Sequence, residues 1–417
     1  MPDAAWRGCS NRPFCVMDAE FQDFSTQKRL ITTVLELWAT QGHAAISARL
    51  LSRMTGVPTS SIYHHFGSME HLFHSAQGHA HEAAQAWCAD RLADLDRWPE
   101  AGGGDSLATV VAVLIDDWAT DARTLAFAWT QCHLLALRDP TYVPALDAWR
   151  DLWAGFWRDV CARARLGEFA RSTGHFFEGA AHLHLIRWRR TIDRAALDEL
   201  CRGWGQWLDG SLSGEGAWRG LARQAAQEAE PPRQSRNNVA DAVAQAAASV
   251  VEEGGVAALT HRAVATRAEV TLGVVSYNFR TSADLAQVAF ETIYRNITDH
   301  VREAVKARLD REEAILAWKD FPSQPSPLVA IEELMLAVAR DPALAEFGPQ
   351  LRYLRGRTSG LQLAALLGGN AQVSPLDMAV YSSFVSGQRR ALIGRDVAEI
   401  HASLDETDRL LERLRPA

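Results

Sequence analysis

Apolar residues recur at helical spacing along most of the chain, and two stretches repeat one pattern. Across residues 27–41, Leu30, Ile31, Val34, Leu35 and Trp38 fall on one stripe of a helix that stops at Gly42. Across residues 238–253, Val239, Val243, Ala246, Ala247 and Val250 do the same, and the stripe stops at Gly254 and Gly255. A hydroxyl residue follows each time, Ser47 or Thr260, suited to cap a short second helix because its oxygen accepts a free first-turn amide. About four residues of turn come next, around Thr55, Gly56 and Val57 or around Ala268, Glu269 and Val270. A short third helix then carries small polar residues and a tyrosine. Pro58 suits its start, where an amide has no partner to lose. Phe66 or Phe279, with Leu72 or Leu285, closes the core beneath.

A shift of 213 residues superimposes the two stretches without a gap. Gly42 falls on Gly255, Arg49 on Arg262, Val57 on Val270 and Phe66 on Phe279. A period of that size implies duplication of a whole domain and not a solenoid repeat. Three helices with a tight turn between the second and third make a helix-turn-helix. The chain thus reads as one unit written twice.

The segments following each three-helix unit are also helical in pattern. Between Leu107 and Leu208 amphipathic helices succeed one another, with breaks expected at Asp139-Pro140, Leu166-Gly167 and Ile192-Asp193. Trp149, Trp153 and Trp157 lie four apart on one helix face, and Trp118 and Trp129 sit on preceding helices. Such a stripe serves either as core or as the lining of a pocket for a flat apolar or aromatic ligand. The second half has only Trp318 in its corresponding region; Pro322, Pro325 and Pro327 mark a loop there, before a helix over 328–340. The last two helices of each half are expected over 174–190 with 194–212, and over 375–393 with 396–414. A joint over 211–235, part helix and part extended, spans up to roughly 60 Å. Pro231-Pro232 ends its helix, and Arg233 and Arg236 read as a basic arm. Residues 1–25 lack periodicity and read as a dispensable tail, with Met17 an alternative start.

Composition narrows the function classes. Of 417 residues, 47% are apolar and 23% charged, which excludes wholesale disorder. The longest aliphatic run is far shorter than the roughly 20 residues of a membrane span, and no basic start precedes an apolar stretch, so neither membrane insertion nor export is expected. The six cysteines, Cys9, Cys15, Cys88, Cys132, Cys161 and Cys201, include no C-x-x-C pair. They read as reduced thiols of a cytoplasmic protein, with a sensor thiol the other reading. His71, His74, His79 and His81 crowd one helix, but no carboxylate or cysteine joins them at ligand spacing, so no metal is expected. No nucleophile–base–acid set or phosphate loop stands out, so the chain is expected not to be an enzyme and to need no cofactor. The net charge of −8 speaks against a general polyanion binder.

The residues Gly42, Ser47, Arg49, Gly56, Val57, Ile62, Tyr63, His64, His65 and Phe66, with their counterparts Gly255, Thr260, Arg262, Val270, Tyr277, Asn278 and Phe279, resemble the N-terminal DNA-binding domain of the TetR family of bacterial transcription regulators. The resemblance covers about 50 residues per copy; beyond them it rests on length and order alone. It implies an all-α fold of two TetR-like units, each an N-terminal helix-turn-helix domain and a helical-bundle effector and dimerisation domain. Family members dimerise through their last two helices, so one chain would form an internal pseudo-dimer. The implied division is a tail at 1–25, a first DNA-binding domain at 26–75 and its effector domain at 76–212, a linker at 213–235, then a second DNA-binding domain at 236–287 and effector domain at 288–417.

In a major groove the recognition helix reads base edges with residues near its start. In the first copy these are Thr59, Ser60, Tyr63 and His64, with Lys28, Ser47, Arg49 and His65 toward the phosphates. In the second they are Thr271, Leu272, Gly273, Ser276 and Tyr277, with Thr260, Arg262 and Asn278 toward the backbone. Leu272 and Gly273 suit apolar contact with a thymine methyl and close backbone approach. Where many family members carry a lysine after the aromatic residue, Met69 and Ser282 stand here.

The charge, taken per reader, changes the picture. Residues 26–75 hold Lys28, Arg29, Arg49 and Arg53 against Glu36 and Glu70, a net of +2. Residues 236–287 hold Arg236, Arg262, Arg267 and Arg280 against Asp241, Glu252, Glu253, Glu269 and Asp284, a net of −1. The first reader is therefore expected to anchor and the second to bind more weakly. The expected function is a repressor that binds double-stranded operator DNA and is released by a small apolar or aromatic effector. Two different recognition helices imply an asymmetric operator. The competing reading is a helical ligand-binding or scaffolding protein with degenerate readers.

Overall fold

A computed structural model describes residues 14–97, 102–229, 236–306, 326–368 and 372–415. It is helical throughout, with no strand among the described residues. The first three-helix unit comprises α1 (Phe14–Thr40), α2 (Ala48–Thr55) and α3 (Thr59–Phe66). Ser47 caps α2 by accepting from Leu50 N at 3.2 Å, and Gly56 ends it in the left-handed region at φ 72°. Leu30, Val34, Trp38, Leu51, Ile62 and Leu72 close the small core.

The bundle that follows is α4 (Met69–Asp94), α5 (Gly104–Thr120), α6 (Arg123–Ala136), α7 (Val143–Arg163), α8 (Ala170–His184) and α9 (Arg190–Leu208). The joint carries α10 (Ala217–Glu228), and residues 230–235, with Pro231, Pro232 and Arg233, lie outside the described residues. The second three-helix unit is α11 (Asn238–Gly254), α12 (His261–Arg267) and α13 (Leu272–Asn278). After it come α14 (Ser282–Lys306), α15 (Ser326–Arg340), α16 (Gly348–Tyr353), α17 (Arg357–Leu366), α18 (Pro375–Leu392) and α19 (Val397–Arg413). Trp318, Pro322 and Pro325 lie outside the described residues.

Two boundaries differ from expectation. The stretch before residue 26 is not all tail, because α1 begins at Phe14. No glycine or proline interrupts the chain between Pro13 and Gly42, so a helix started behind that proline has nothing to stop it. The break expected at Ile192-Asp193 falls instead at 185–189. Asp193 is a first-turn residue of α9 whose carboxylate accepts from Trp188 N at 2.9 Å, an N-terminal role that an acidic residue shares with turns.

Among the described residues the longest seam runs between α8 and α18, from opposite halves of the chain. It is close because glycine faces backbone: a Cβ at Gly179 would lie 2.9 Å from the carbonyl carbon of Ser383 and 3.0 Å from Gly387 N. A Cβ at Gly387 would lie 2.8 Å from Gly179 N. Polar groups stitch the margins. Asp377 completes the capping box that Ser374 opens on α18, and it accepts from Trp207 Nε1 at 2.8 Å and Ser213 N at 2.7 Å. Glu406 of α19 accepts from Ser172 N at 2.9 Å and Ser172 Oγ at 2.6 Å. A buried charge cluster adds to this: Arg390 pairs with Glu332 and, at 2.7 Å, with Glu178, which also accepts from Trp129 Nε1 at 2.7 Å. Among the described residues no helix is long and apolar enough to cross a membrane.

Candidate nucleic-acid interface

The two three-helix units match in backbone conformation at several positions the 213-residue shift pairs, but not at the end of the third helix, where Phe66 is helical before Gly67 at φ 73° and Phe279 is extended. Thr260 caps α12 from Ala263 N at 3.1 Å, as Ser47 caps α2. Gly42 and Gly255 both end their first helices at positive φ, 84° and 71°, and each opens a 3₁₀ turn, His43–Ala45 or Val256–Ala258. Gly56 at φ 72° is matched by Glu269 at φ 55°. A glutamate there costs on the order of 1 kcal/mol relative to glycine, so the surrounding turn imposes the conformation. Pro58 is the residue before α3 and not its first helical position, one place earlier than expected, and Thr271 takes the same place before α13.

In the first reader, α3 presents Thr59, Ser60, Tyr63 and His64 to solvent, with Ser47, Arg49 and Arg53 exposed on α2 and Lys28 on α1. Arg49 and Arg53 form no ion pair among the described residues, which leaves their charge for phosphate. His65 is half-buried, its ring 5.5 Å from His64.

In the second reader, α13 exposes Leu272, Gly273, Ser276 and Tyr277, preceded by exposed Thr271. Asn278 is half-buried, its amide donating to Val274 O one turn back at 2.9 Å. Arg262 is exposed, but two other arginines are engaged: Arg267 pairs with Glu253, and Arg236 pairs with Glu291, which Arg295 also engages. Arg236 is therefore held against α14 and is not part of a free basic arm.

The readers touch through their equivalent 3₁₀ turns, His43–Ala45 against Val256–Ala258. Each is also gripped by an arginine from the other half. The Arg340 guanidinium lies against Gly42, where a Cβ would be 2.8 Å from its nitrogen, and the Arg138 guanidinium lies against Gly255. Arg138 is anchored by Glu333 at 2.6 Å, and Arg340 donates to Gln131 at 3.4 Å and lies over the Phe127 ring. His43, between them, accepts from Trp38 Nε1 at 3.2 Å; burial and then the two guanidinium charges lower its pKa to about 4.

These arginines were missed from the sequence. Both begin an Arg-Asp-Pro run, at 138–140 and 340–342, and in both the aspartate accepts from the amide two residues on, at 2.9 Å. The runs lie 202 residues apart, so a search at one fixed shift of 213 passes over them.

The tryptophans of the candidate ligand lining are buried and pack on one another. Trp118 lies 4.9 Å from Trp153 and 6.5 Å from Trp149, Trp129 lies 5.5 Å from Trp149, and Trp157 lies 4.9 Å from Phe177. Trp149 Nε1 donates to Gln77 at 3.3 Å, whereas the buried Nε1 atoms of Trp153 and Trp157 find no acceptor among the described residues. Among the histidines, His71 bonds to Phe66 O at 3.1 Å, His74 stacks on Tyr142 at 4.2 Å, and His81 bonds to Ala148 O at 3.2 Å. Burial raises the thiols of Cys88, Cys132 and Cys161 to about 12 and holds Cys201 protonated as well, which removes the thiolate a sensor needs. Cys9 and the Cys15 side chain lie outside the described residues.

No curated protein shows a significant match to the chain. Residues 30–76 match the family model described as bacterial regulatory proteins, tetR family. The matched segment runs from within α1 through α2 and α3 into α4, so the first reader is a TetR-type N-terminal domain, and the chain carries the DNA-binding module of a transcription regulator.

Proposed function

We propose that the chain is a repressor built from two copies of one TetR-type unit, paired within a single polypeptide. The observation that carries this reading is a set of reciprocal contacts between the halves. Equivalent 3₁₀ turns meet, and each reader's helix-ending glycine receives an arginine from the other half. Contacts that exchange partners in this way are what a two-fold axis generates. The seam between α8 and α18, supported by α9 and α19, then corresponds to the dimerisation bundle of a two-chain regulator.

Two readers held at a set spacing meet successive major grooves on one face of a duplex. Their recognition helices differ, Thr59-Ser60-Ser61-Ile62-Tyr63 against Leu272-Gly273-Val274-Val275-Ser276, so the operator is asymmetric. Release by a small apolar or aromatic effector would act through the indole cluster around Trp118, Trp129, Trp149, Trp153 and Trp157. The two unpaired indole N–H groups there offer a bond to an incoming acceptor. Such a ligand shifts the readers only if it favours one spacing over another. The chain is proposed to act without catalysis.

The test is a gel shift and footprint on the DNA upstream of the chain's own coding region, at moderate salt. A sequence-specific footprint with two unlike halves supports the proposal. Absence of any specific shift moves the reading to a helical scaffold with degenerate readers, and a perfect palindrome bound by one chain contradicts the asymmetric operator.

A further inference from the structure

We infer that the second reader recognises thymine through its C5-methyl group, a reading that rests on the proposed function and specifies its DNA target. The starting observation is a hollow of about 750 Å³ on the outer face of the second reader. The start of α11 and the recognition helix α13 line it together, with Val239, Gly273, Val274 and Tyr277 supplying its apolar walls and Asn237, Asn238, Thr271 and Asn278 its polar ones. Val239 is 48% exposed, the neighbouring Leu272 49% and Tyr277 84%. Single exposed apolar residues are ordinary. Here Val239 and Tyr277 border the same hollow and Leu272 opens α13 beside it, at positions that in the first reader hold Thr26, His64 and Thr59.

The polar groups of the same face are partly committed within the protein. Asn278 donates to Val274 O at 2.9 Å, and Asn237 Oδ1 accepts from Ala240 N at 2.8 Å as the cap of α11. No lysine or arginine lies on α13, so the helix cannot form the bidentate contact that reads guanine. Of the groups a base pair displays in the major groove, one is apolar: the thymine methyl. The exposed Leu272 and the apolar walls beside this uncharged helix are complementary to that group, while the exposed hydroxyls of Thr271 and Ser276 are left for polar base edges. The exposed Thr260 and Arg262 on α12 remain to meet the flanking phosphates.

The experiment uses the full chain and a duplex that it selects from a random pool. Footprints of the wild type and of an Arg262→Ala variant assign the half-site covered by the second reader. Thymines are then replaced by deoxyuracil, which lacks only the methyl, in one half-site at a time. Each contacted methyl lost from the second half-site is expected to weaken binding about four-fold, while the same change in the first half-site leaves affinity unaltered. A Leu272→Ser variant is expected to reduce the difference between thymine and deoxyuracil duplexes. Equal affinity for the two duplexes in the wild type overturns this inference alone. Failure to select any sequence overturns the proposed function with it.

Discussion

Replacing Gly179 by alanine tests how closely the two halves of the molecule are joined. Alanine in a helix interior ordinarily stabilises by about 0.5–1 kcal/mol relative to glycine, because it restricts the unfolded chain and favours the helix. At Gly179 the added methyl would stand 2.9 Å from the carbonyl carbon of Ser383 and 3.0 Å from Gly387 N, both backbone atoms of α18. Carbon and oxygen settle no closer than about 3.3 Å, and Ser383 O is the nearest atom of all. The helices must therefore part by on the order of 1 Å along their longest shared seam, and overpacking of this kind costs about 1–3 kcal/mol. The net expectation is destabilisation by about 1–2 kcal/mol. Gly78, in α4, supplies the control, since nothing lies within 4 Å of a Cβ there. Gly78→Ala should stabilise by up to about 1 kcal/mol. The assay is urea unfolding of both variants beside the wild type, followed by tryptophan fluorescence, because Trp204 and Trp207 lie near the seam. If both alanines raise the midpoint, α8 and α18 do not approach as described and the pairing of halves loses its main support.

Other outcomes follow from separate features. Operator affinity should fall more for Arg49→Ala than for Arg262→Ala, because the first reader has a net charge of +2 and the second of −1; titration at two salt concentrations measures both losses, and a larger loss from Arg262→Ala reverses the assignment of the anchor. Arg390→Met leaves Glu178 and Glu332 buried without their cation and should cost about 3–5 kcal/mol, of which Glu332→Gln in the same chain restores part, as chemical denaturation will show. Stability should also decline in mild acid. Burial lowers His175 from 6.5 to about 3 and His184 to about 4, so both remain neutral in the fold while the unfolded chain takes up protons. That stability is complete above about pH 6.5 and is lost as pH falls below it, at about 1.4 kcal/mol per pH unit for each such histidine. His175→Gln should flatten the denaturation midpoint against pH; an unchanged slope removes His175 as a contributor.

Most of the first reader is legible in the chain because its signals are local. Ser47, Gly56 and Gly42 each act on amides or dihedral angles within four residues, so residue type and spacing suffice to place the turns. The second reader is harder, since Glu269 occupies a left-handed turn position that its own preference disfavours, and only the alignment with Gly56 reveals it. Distance in sequence hides more. The pairing of Arg236 with Glu291 spans 55 residues, and nothing at Arg236 itself says that its charge is spent inside the protein. The tryptophan stripe shows the same limit in another form. Spacing places Trp149, Trp153 and Trp157 on one face of α7, but Trp129 comes to within 5.5 Å of Trp149 through tertiary packing alone.

The crossed arginines carry a genetic consequence. In a two-chain regulator one codon specifies both copies of a symmetric contact, so any substitution alters the two sides together. Here Arg138 against Gly255 and Arg340 against Gly42 are four separate positions in one reading frame. The two contacts are also held differently: Arg138 is tethered by the Glu333 carboxylate, while Arg340 rests on the Gln131 amide and the face of Phe127. One contact can therefore weaken while the other is kept, and the grip on each reader is open to selection on its own.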